Sequence, residues 1–433
     1  MHTTDVLIIG GGPAGYHLAL HLHGKSVVLA EQNALGGTCL NVGCVPSKTL
    51  LDATNKIHQA QNGWNNLVSF SHFDFHLPQL HQHKNAVIAR LNKGIAAMLK
   101  QNKIQHIVGK ARVLGKKQMW QVQINDEIFQ AEHLVVASGS SPKVLPELPF
   151  DHQVVWDSSD ALHFQNIPQS LAVIGGGAIG LELGSVFSRL GSKVFILESA
   201  PSILPFLDTN LQTMAKRLLK NLNIQCQAQF FGAQKNPNGM VLEFQTPQGL
   251  QTYNVEKVIV AIGRSPNTQG FEDFLDEHCA FLKSDASQKF WAIGDVAGAP
   301  MLAHKAYCQA NDVAHAILNE QQNLPTSNYA NILQVIYTHP EIAFFGSKQG
   351  ATKTHKTFCA SNARALATNQ SDGMLQIFTD ENNLIVGAQM VGVLASEVLY
   401  PILLAKQNNI TLEAFKKTMP AHPSFMEMTS SLN

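Results

Sequence analysis

Two stretches of the chain repeat the same order of apolar and polar positions. In DVLIIGGGPAGYHLALHL, the apolar run Asp5–Ile9 predicts a buried parallel strand, and a glycine-rich turn and a helical pattern follow it. SLAVIGGGAIGLELGSVFSRLGSKVFILE repeats this order later in the chain. In each stretch the next apolar run, SVVLAE or KVFILE, ends in a glutamate. The pattern predicts two strand–helix–strand units of an α/β protein.

The glycines in the two turns have the spacing of dinucleotide-binding loops. Gly10, Gly12 and Gly15 form the first G-x-G-x-x-G, and Gly175, Gly177 and Gly180 form the second. Such glycines allow a tight turn, a close approach to a pyrophosphate, and close packing of helix on strand. Glu31 and Glu198 end the following strands, where each carboxylate can bind a ribose hydroxyl. We therefore predict two bound dinucleotides; the alternative is two glycine-rich turns that bind neither.

The residues after Glu198 indicate which nicotinamide cofactor the second unit binds. A carboxylate at this position accepts hydrogen bonds from an adenosine 2′-hydroxyl and repels a 2′-phosphate. The following segment, SAPSILPFLD, contains no Arg or Lys that could bind a phosphate. The sequence favours NAD over NADP.

Beyond the second unit, strand and helix patterns alternate. LQIFTD and LIVGAQMVG predict strands, and a helix is expected from Ala395. Pro325 and Thr326 lie in the polar run NEQQNLPTSN, which we interpret as a linker.

Composition narrows the class of protein. A chain of 433 residues with 45% hydrophobic and 14% charged residues predicts two to four domains with large buried cores. Lys and Arg total 31, equal to Asp and Glu, so charge favours neither nucleic acid nor an anionic membrane as a partner. We find no targeting segment and no apolar run of about 18 residues, and we expect a cytoplasmic protein.

Cys39 and Cys44 stand five residues apart in GGTCLNVGCVPSK, and a helix is expected to begin just after them. A helix start stabilises negative charge and so makes a thiolate available. A dithiol beside a nucleotide-binding loop predicts redox chemistry; a structural disulfide or two idle thiols are the alternative. The other cysteines show no metal-like spacing, so we expect no metal site and four free thiols: Cys226, Cys279, Cys308 and Cys359.

Nearly the whole chain resembles the flavin-dependent pyridine nucleotide–disulfide oxidoreductases, and most closely those that oxidise dihydrolipoamide. The similarity rests on the two glycine motifs and on TCLNVGCVPSK, VVASGSSP, WDSSDAL, VIVAIGRSPN, AIGDVAGAPMLAHKA, YTHPEIAFFG and AHPSFME. The resemblance implies an FAD-binding domain of residues 1–142 and 264–321, an NAD-binding domain of 143–263, and an α+β interface domain of 322–433 that forms a homodimer. Both nucleotide domains would be Rossmann-like.

The resemblance also implies roles for individual residues. Cys39 matches the thiol that exchanges with the substrate disulfide, and Cys44 matches the thiol that faces the flavin. Lys48, one helical turn after Cys44, would approach flavin N5 with Glu182 as its partner, and Glu182 and Gly263 would also lie along NAD. His422 and Glu427 match an acid–base pair supplied by the other subunit. Further FAD contacts would come from Ala111, Ser138, Gly139, Ser140, Asp295, Met301, Leu302, Ala303 and His304.

The implied reaction is oxidation of a dihydrolipoyl group on a separate carrier protein of a 2-oxoacid dehydrogenase complex or glycine cleavage system, with transfer of hydride to NAD. A related reductase for another disulfide or for mercuric ion, and a degenerate flavoprotein that acts as a redox-responsive binding partner, are alternatives. The segment between AIGR and AIGD is shorter than is usual in the family, and the chain stops six residues after Glu427. His339 takes a position that often holds Glu, and Met419 and Pro420 stand where relatives often carry a His.

Overall fold

The computed structural model describes residues 2–61, 72, 74–278, 280–321 and 329–431. Within this part the chain forms two compact units. The first comprises residues 1–50, 76–143 and 263–329, and the second comprises 51–75, 144–262 and 330–433. The domain limits expected from the sequence stay a prediction. The linker expected at Pro325 and Thr326 lies outside the described residues.

The first unit is built on a seven-stranded sheet of order β3-β2-β1-β6-β5-β4, with β17 also paired to β6. Its strands are β1 (His2–Ile9), β2 (Val27–Glu31), β3 (Gln105–Val108), β4 (Ala111–Lys116), β5 (Trp120–Ile124), β6 (Glu127–Val136) and β17 (Phe290–Ala292). β1 pairs in parallel with β2 and β6, whereas β5 and β4 are antiparallel additions. A small antiparallel pair is formed by β7 (Ser140–Pro142) and β16 (Arg264–Pro266).

Helices cover this sheet because their apolar residues recur on one face. They are α1 (Pro13–His21), α2 (Gly37–Val42), α3 (Cys44–Gln61, whose last turns belong to the second unit), α4 (Leu77–Gln101) and α7 (Ala303–Leu318). One core, which includes Leu18, Leu29 and Val313, lies among α1, α7 and the sheet. A second core, which includes Trp120, Phe129 and Phe290, contains the residues that point from the strands to the other side.

The nucleotide-binding part of the second unit contains a five-stranded parallel sheet of order β11-β10-β9-β15-β8. Its elements are β8 (Val155–Trp156), β9 (Ser170–Ile174), α5 (Ala178–Arg189), β10 (Lys193–Leu197), α6 (Thr209–Leu218), β11 (Ile224–Gln225) and β15 (Lys257–Val260). An antiparallel three-stranded sheet packs beside it, formed by β12 (Gln229–Asn236), β13 (Gly239–Thr246) and β14 (Gly249–Val255).

The C-terminal part of the second unit is an antiparallel sheet of order β18-β19-β22-β21-β20. Its strands are β18 (Gln334–Ile336), β19 (Glu341–Gly346), β20 (Lys353–Phe358), β21 (Met374–Thr379) and β22 (Ile385–Gly392). The helices are α8 (Ala363–Ala367), α9 (Ala395–Gln407) and α10 (Leu412–Lys416), and a 3₁₀ turn follows at Phe425–Thr429. α9 packs on the sheet through Val398, Leu399 and Ile402.

The fold class predicted from the sequence is confirmed: two Rossmann-like nucleotide units and a C-terminal α+β part. The strands predicted at LQIFTD and LIVGAQMVG and the helix from Ala395 are present as β21, β22 and α9. The expectation for the two cysteines was wrong in one detail. The helix does not begin after them, because Cys44 is already the first residue of α3 and Cys39 lies in the separate short helix α2.

Candidate active site

The two glycine loops have the same backbone constraints. Gly10 and Gly175 both have φ +108°, and a Cβ atom would lie 2.2 Å from the Ala137 oxygen in one loop and 2.5 Å from the Ala261 oxygen in the other. This backbone conformation strains any residue with a side chain. The backbone of each turn therefore requires a glycine at the first position of the motif.

The second and third glycines differ in what surrounds them. A Cβ atom on Gly15 would lie 1.8 Å from the Gly10 oxygen, and one on Gly180 would lie 2.1 Å from the Gly175 oxygen. These positions keep the helix close to the strand. A Cβ on Gly177 would meet nothing within 4 Å. This open space at the start of α5 fits a pyrophosphate, because unpaired N–H groups at a helix start bind anions.

The acid at the end of each second strand binds its own loop. Glu31 Oε2 accepts a hydrogen bond from the Gly11 amide, and Glu198 Oε2 accepts one from the Gly176 amide, both at 2.7 Å. The Oε1 atom of Glu198 accepts another from the Ala200 amide at 2.8 Å. The sequence indicated a ribose contact for these acids but not their hydrogen bonds to the loop. A glycine at position 11 or 176 allows the acid to come this close, because a Cβ there would contact the side chain of Glu31 or Glu198.

The segment after Glu198 is held against the phosphate loop and the C-terminal sheet. Ile203 packs over Gly176, where a built Cβ would lie 2.8 Å from its Cγ2 atom. Gln389 on β22 is 3% exposed; its Oε1 atom accepts from the Asp208 amide at 2.8 Å and its Nε2 atom donates to the Phe206 oxygen at 2.9 Å. The sequence did not predict that β22 would fix this segment, since the two are far apart in the chain.

Cys39 and Cys44 form a disulfide bond, with their Cα atoms 4.7 Å apart. Gly43 permits this close turn, because a Cβ there would lie 2.9 Å from the Thr38 oxygen and 3.2 Å from the Cys39 Cα atom. The sequence predicted the cysteines as a redox pair but not the need for Gly43 between them.

The disulfide segment is attached directly to the first phosphate loop. The Gly36 amide donates to the Gly11 oxygen at 2.8 Å, and the Gly37 backbone lies so close to Gly12 that a Cβ on Gly37 would be 2.8 Å from the Gly12 Cα atom. Asn41 closes the turn by donating to the Leu35 and Gly37 oxygens, each at 2.9 Å. The disulfide therefore stands beside the place where the first dinucleotide is expected.

Lys48 lies on α3 four residues after Cys44, in the first unit. Glu182 lies on α5 in the second unit, is 5% exposed, and accepts a hydrogen bond from the Tyr337 amide at 2.9 Å. Glu182 is thus a buried carboxylate whose Oε1 atom is held by the Tyr337 backbone. The pairing of Lys48 with Glu182 stays a prediction.

Four of the expected FAD contacts lie just beyond the ends of the paired strands β6 and β17: Ser138, Gly139, Ser140 and Asp295. Asp295 Oδ2 accepts a hydrogen bond from Ser140 Oγ at 2.6 Å, and Ser138 Oγ donates to the Asn267 oxygen at 2.7 Å. Arg264, which the sequence did not single out, donates from Nε to Ser140 Oγ at 2.7 Å. Gly139, between the two serines, has φ +73° and open space where a Cβ would stand.

The other residues expected to contact the cofactors lie on several separate elements. Met301 and Leu302 precede α7, and Ala303 and His304 are its first residues. Nearby, the buried Lys305 donates to the Gly298 oxygen, and burial lowers the pKa of Lys305 to about 8. Ala111 is the first residue of β4, and the Gly263 oxygen accepts from the Lys143 amide at 3.0 Å.

His422 and Glu427 form a preorganised pair in the C-terminal part of the second unit. His422 Nδ1 donates to Glu427 Oε1 at 2.7 Å, while Glu427 Oε2 accepts from the Ser424 amide at 2.8 Å. The hydrogen bond from His422, and then that from Ser424, hold the pKa of Glu427 below its usual value. The carboxylate therefore fixes the ring, and the imidazole, whose side chain is 74% exposed, is accessible to another molecule.

Other features bear on the alternatives. Cys226, Cys308 and Cys359 are free thiols, and Cys279 lies outside the described residues. Among the residues that the structure describes, no three His, Cys, Asp or Glu side chains are grouped to hold a metal ion. In the same part of the chain, no helix is both long and apolar enough to cross a bilayer.

Comparison with known proteins agrees with this geometry. Residues 4–310 match the family described as pyridine nucleotide-disulphide oxidoreductase, and residues 332–432 match the dimerisation domain of that family. The chain belongs to the pyridine nucleotide-disulphide oxidoreductases. The family uses FAD and NAD, and the two glycine loops, with open space at Gly177 and one van der Waals contact at Gly12, fit two such dinucleotides. The chain is thus an oxidoreductase acting on sulfur groups.

Curated relatives and solved structures cover nearly the whole chain. It is 32% identical to the dihydrolipoyl dehydrogenases of Bacillus subtilis and Staphylococcus aureus, over 98% of this chain and 95% of each relative. Mycobacterium tuberculosis LpdA has the same fold, with a TM-score of 0.88 at 23% identity over 99% of each chain. The HOCl-induced flavoprotein disulfide reductase RclA of Escherichia coli matches with a TM-score of 0.84 at 24% identity, over 99% of this chain and 98% of that structure.

Proposed function

We propose that this protein is an NAD-dependent dihydrolipoyl dehydrogenase that works as a homodimer on a lipoyl-carrying protein. The observation that carries the proposal is the Cys39–Cys44 disulfide on a turn anchored to the first phosphate loop. The His422–Glu427 pair supports it, because oxidation of a dithiol requires a base. The names of the 32% identical relatives favour the dihydrolipoyl group as substrate.

His422, supplied by the partner subunit, takes the proton from one thiol of the substrate. A neutral imidazole is suited to this near pH 7, and Glu427 orients it by accepting the hydrogen bond from Nδ1. Nε2 then faces the thiol. The substrate thiolate attacks Cys39 Sγ, the Cys39–Cys44 bond breaks, and Cys44 leaves as a thiolate.

The second substrate thiol attacks the sulfur of the substrate that is bonded to Cys39. That mixed disulfide breaks, the substrate leaves as its cyclic disulfide, and Cys39 is released as a thiol. Two electrons and two protons have passed from substrate to protein. FAD, held by the first loop, supplies the chemistry that moves the electron pair from the dithiol to NAD as hydride.

The residues of the chain select and position the cofactors. Gly12 and Gly177 leave room for two pyrophosphates, and Glu198 accepts hydrogen bonds from an adenosine ribose that lacks a 2′-phosphate. Buried Glu182 is proposed to hold Lys48 near the reacting end of FAD. Asp295, bound by Ser140, is proposed to bind the ribityl chain or the pyrophosphate.

The test is turnover of free dihydrolipoamide with NAD by the purified, FAD-loaded protein. We expect steady-state oxidation that is lost in Cys39→Ser and Cys44→Ser, while both variants still oxidise NADH with ferricyanide, which takes electrons without the thiols. A panel of disulfides and mercuric ion, assayed with NADH, provides the comparison. Faster turnover of a panel member than of lipoamide would show a reductase for that substrate instead.

A further inference from the structure

Two histidines on α1 lie together, outside every site described above. His17 and His21 are four residues apart, a spacing that places side chains one above the other on a helix. Their ring centroids are 4.2 Å apart with an angle of 37° between the ring planes. Neither residue contributes to the glycine loop, the disulfide or the contacts expected for FAD.

The hydrogen bond of His21 sets which of its nitrogens is available. His21 Nδ1 lies 2.7 Å from the His17 carbonyl oxygen, which can only accept, so Nδ1 carries the proton. In a neutral ring the lone pair is then on Nε2. Histidines that bind metals have this arrangement, in which one nitrogen donates to a carbonyl and the other faces the ion.

A third polar atom comes from α7. Asn311 Oδ1, which can only accept, lies 3.0 Å from His17 Nε2 and takes a hydrogen bond from it, so an amide oxygen and one of the two imidazoles share a proton that a metal ion would displace. The Tyr307 ring packs against His17 with centroids 4.8 Å apart, and the Tyr307 hydroxyl is hydrogen-bonded to that of Tyr16 at 2.8 Å. These contacts hold α1 and α7 in register around the cluster and limit the movement of the His17 ring.

We propose that His17, His21 and Asn311 bind one divalent transition-metal ion, Zn²⁺ or Cu²⁺, that links α1 to α7. Imidazole nitrogen is a preferred donor for both ions, with bonds of about 2.0–2.1 Å to zinc, and water completes the coordination. With two imidazole nitrogens and one amide oxygen as ligands, the site should bind metal more weakly than centres built from several cysteines or carboxylates. Because α1 carries the first phosphate loop at its start, the ion would stiffen the FAD-binding unit.

Cu²⁺ serves as the probe, added to the oxidised, FAD-loaded protein so that the cysteine pair stays a disulfide without thiolates. We expect one equivalent to bind per chain with an electron paramagnetic resonance spectrum showing two imidazole nitrogens. His17→Gln and His21→Gln should each weaken binding at least tenfold and leave one nitrogen or none in the spectrum. Zn²⁺ titration calorimetry should show the same loss.

His163→Gln is the matched control. His163 Nδ1 makes the same kind of bond to the carbonyl oxygen four residues earlier, at 2.8 Å from Ser159, but has no second histidine a turn away. This variant should bind Cu²⁺ as the wild type does. Asn311→Asp replaces the amide oxygen with a carboxylate and should tighten binding about tenfold, a gain that a folding defect cannot produce.

Wild-type stoichiometry and spectrum in the His17→Gln/His21→Gln double variant would overturn the proposal. Unchanged affinity in Asn311→Asp would overturn the link between the two helices. FAD content and melting temperature without metal, measured for each variant, show that the comparison is made on folded protein.

Discussion

Replacing Gly177 and Gly180 by alanine, one at a time, should give two different defects in the NAD-binding part. A Cβ on Gly180 would lie 2.1 Å from the Gly175 oxygen, a backbone atom that cannot rotate away. Helix α5 would have to move away from β9 by about 1 Å. Such overpacking lowers the free energy of unfolding by about 1–3 kcal/mol, and this corresponds to a melting temperature lower by about 2–10 °C.

Gly177→Ala should leave the fold nearly unchanged. Its Cβ meets nothing within 4 Å and its φ of −78° suits any residue. Alanine raises the free energy of unfolding by about 0.4–1 kcal/mol, because it restricts the unfolded chain. It also lowers the free energy of unfolding by a similar amount, roughly 1 kcal/mol, because glycine is preferred over alanine at the residue before a helix. The melting temperature should therefore stay within about 2 °C of the wild type.

The methyl group of Gly177→Ala should instead weaken NAD binding, because it fills the space where we place the pyrophosphate. Loss of one hydrogen bond to a charged phosphate costs about 1.5–3 kcal/mol, a factor of about 10–150 in Kd. Calorimetric titration of NAD into FAD-loaded protein measures this, beside the melting temperature. Gly94→Ala, at an exposed position inside α4 with no neighbour within 4 Å, is the control for NAD binding. It should leave the Kd for NAD unchanged and should keep or slightly raise the melting temperature, because alanine is favoured over glycine inside a helix by about 0.5–1 kcal/mol.

The outcome that would refute the reasoning is a Gly177→Ala variant that binds NAD with wild-type affinity. The open space at the start of α5 would then not be the pyrophosphate site. A Gly180→Ala variant as stable as the wild type would show that α5 can move away from β9 at little cost.

Further predictions concern cofactor choice, the base and the dimer. Glu198→Ala should narrow the preference for NAD over NADP in kcat/KM; equal values for the wild type would contradict our assignment. His422→Gln should slow dithiol oxidation by about 10²–10⁴-fold but leave NADH oxidation by ferricyanide near the wild-type rate, whereas equal losses would argue for a folding defect. Because the His422 hydrogen bond lowers the pKa of Glu427, the carboxylate should stay charged through the usual carboxyl range and the pair should be lost only at still lower pH; an NMR titration of the Glu427 carboxyl measures this, and a midpoint at or above the usual range would contradict it. Mixed dimers of Cys44→Ala and His422→Ala chains should regain turnover if the base crosses to the partner, and verified exchange without recovery would place it in its own subunit. Gln389→Met should raise KM for NAD more than it lowers kcat, and an unchanged KM would show that the loop needs no support from β22.

The parts of the site that the sequence predicted depend on local pattern. β1, the glycine turn and α1 follow one another along the chain, so spacing alone indicates the phosphate loop. The cysteine pair is also local. Its close approach depends on Gly43, whose role becomes visible only when the Thr38 oxygen is seen next to it.

The parts that the sequence did not predict join residues far apart in the chain. Arg264 reaches Ser140 across 124 positions, and Gln389 reaches Asp208 across 181. No periodicity records such pairs, because they arise from which strand ends lie next to one another. The hydrogen bond of Glu198 to its own loop is hidden for the same reason, because an acid at the end of a strand looks the same in the sequence whatever it binds.

The attachment of the segment after Glu198 to β22 has a consequence for redesign. Converting the chain to NADP would require a segment here that carries an arginine for the 2′-phosphate, taken from a donor enzyme. Here the recipient backbone is held by Gln389 at Phe206 and Asp208 and by Ile203 on Gly176. A transplanted loop that lacks these contacts would be displaced from its position next to the ribose. A chimera should therefore exchange the loop together with Gln389, the strand residue that binds its backbone.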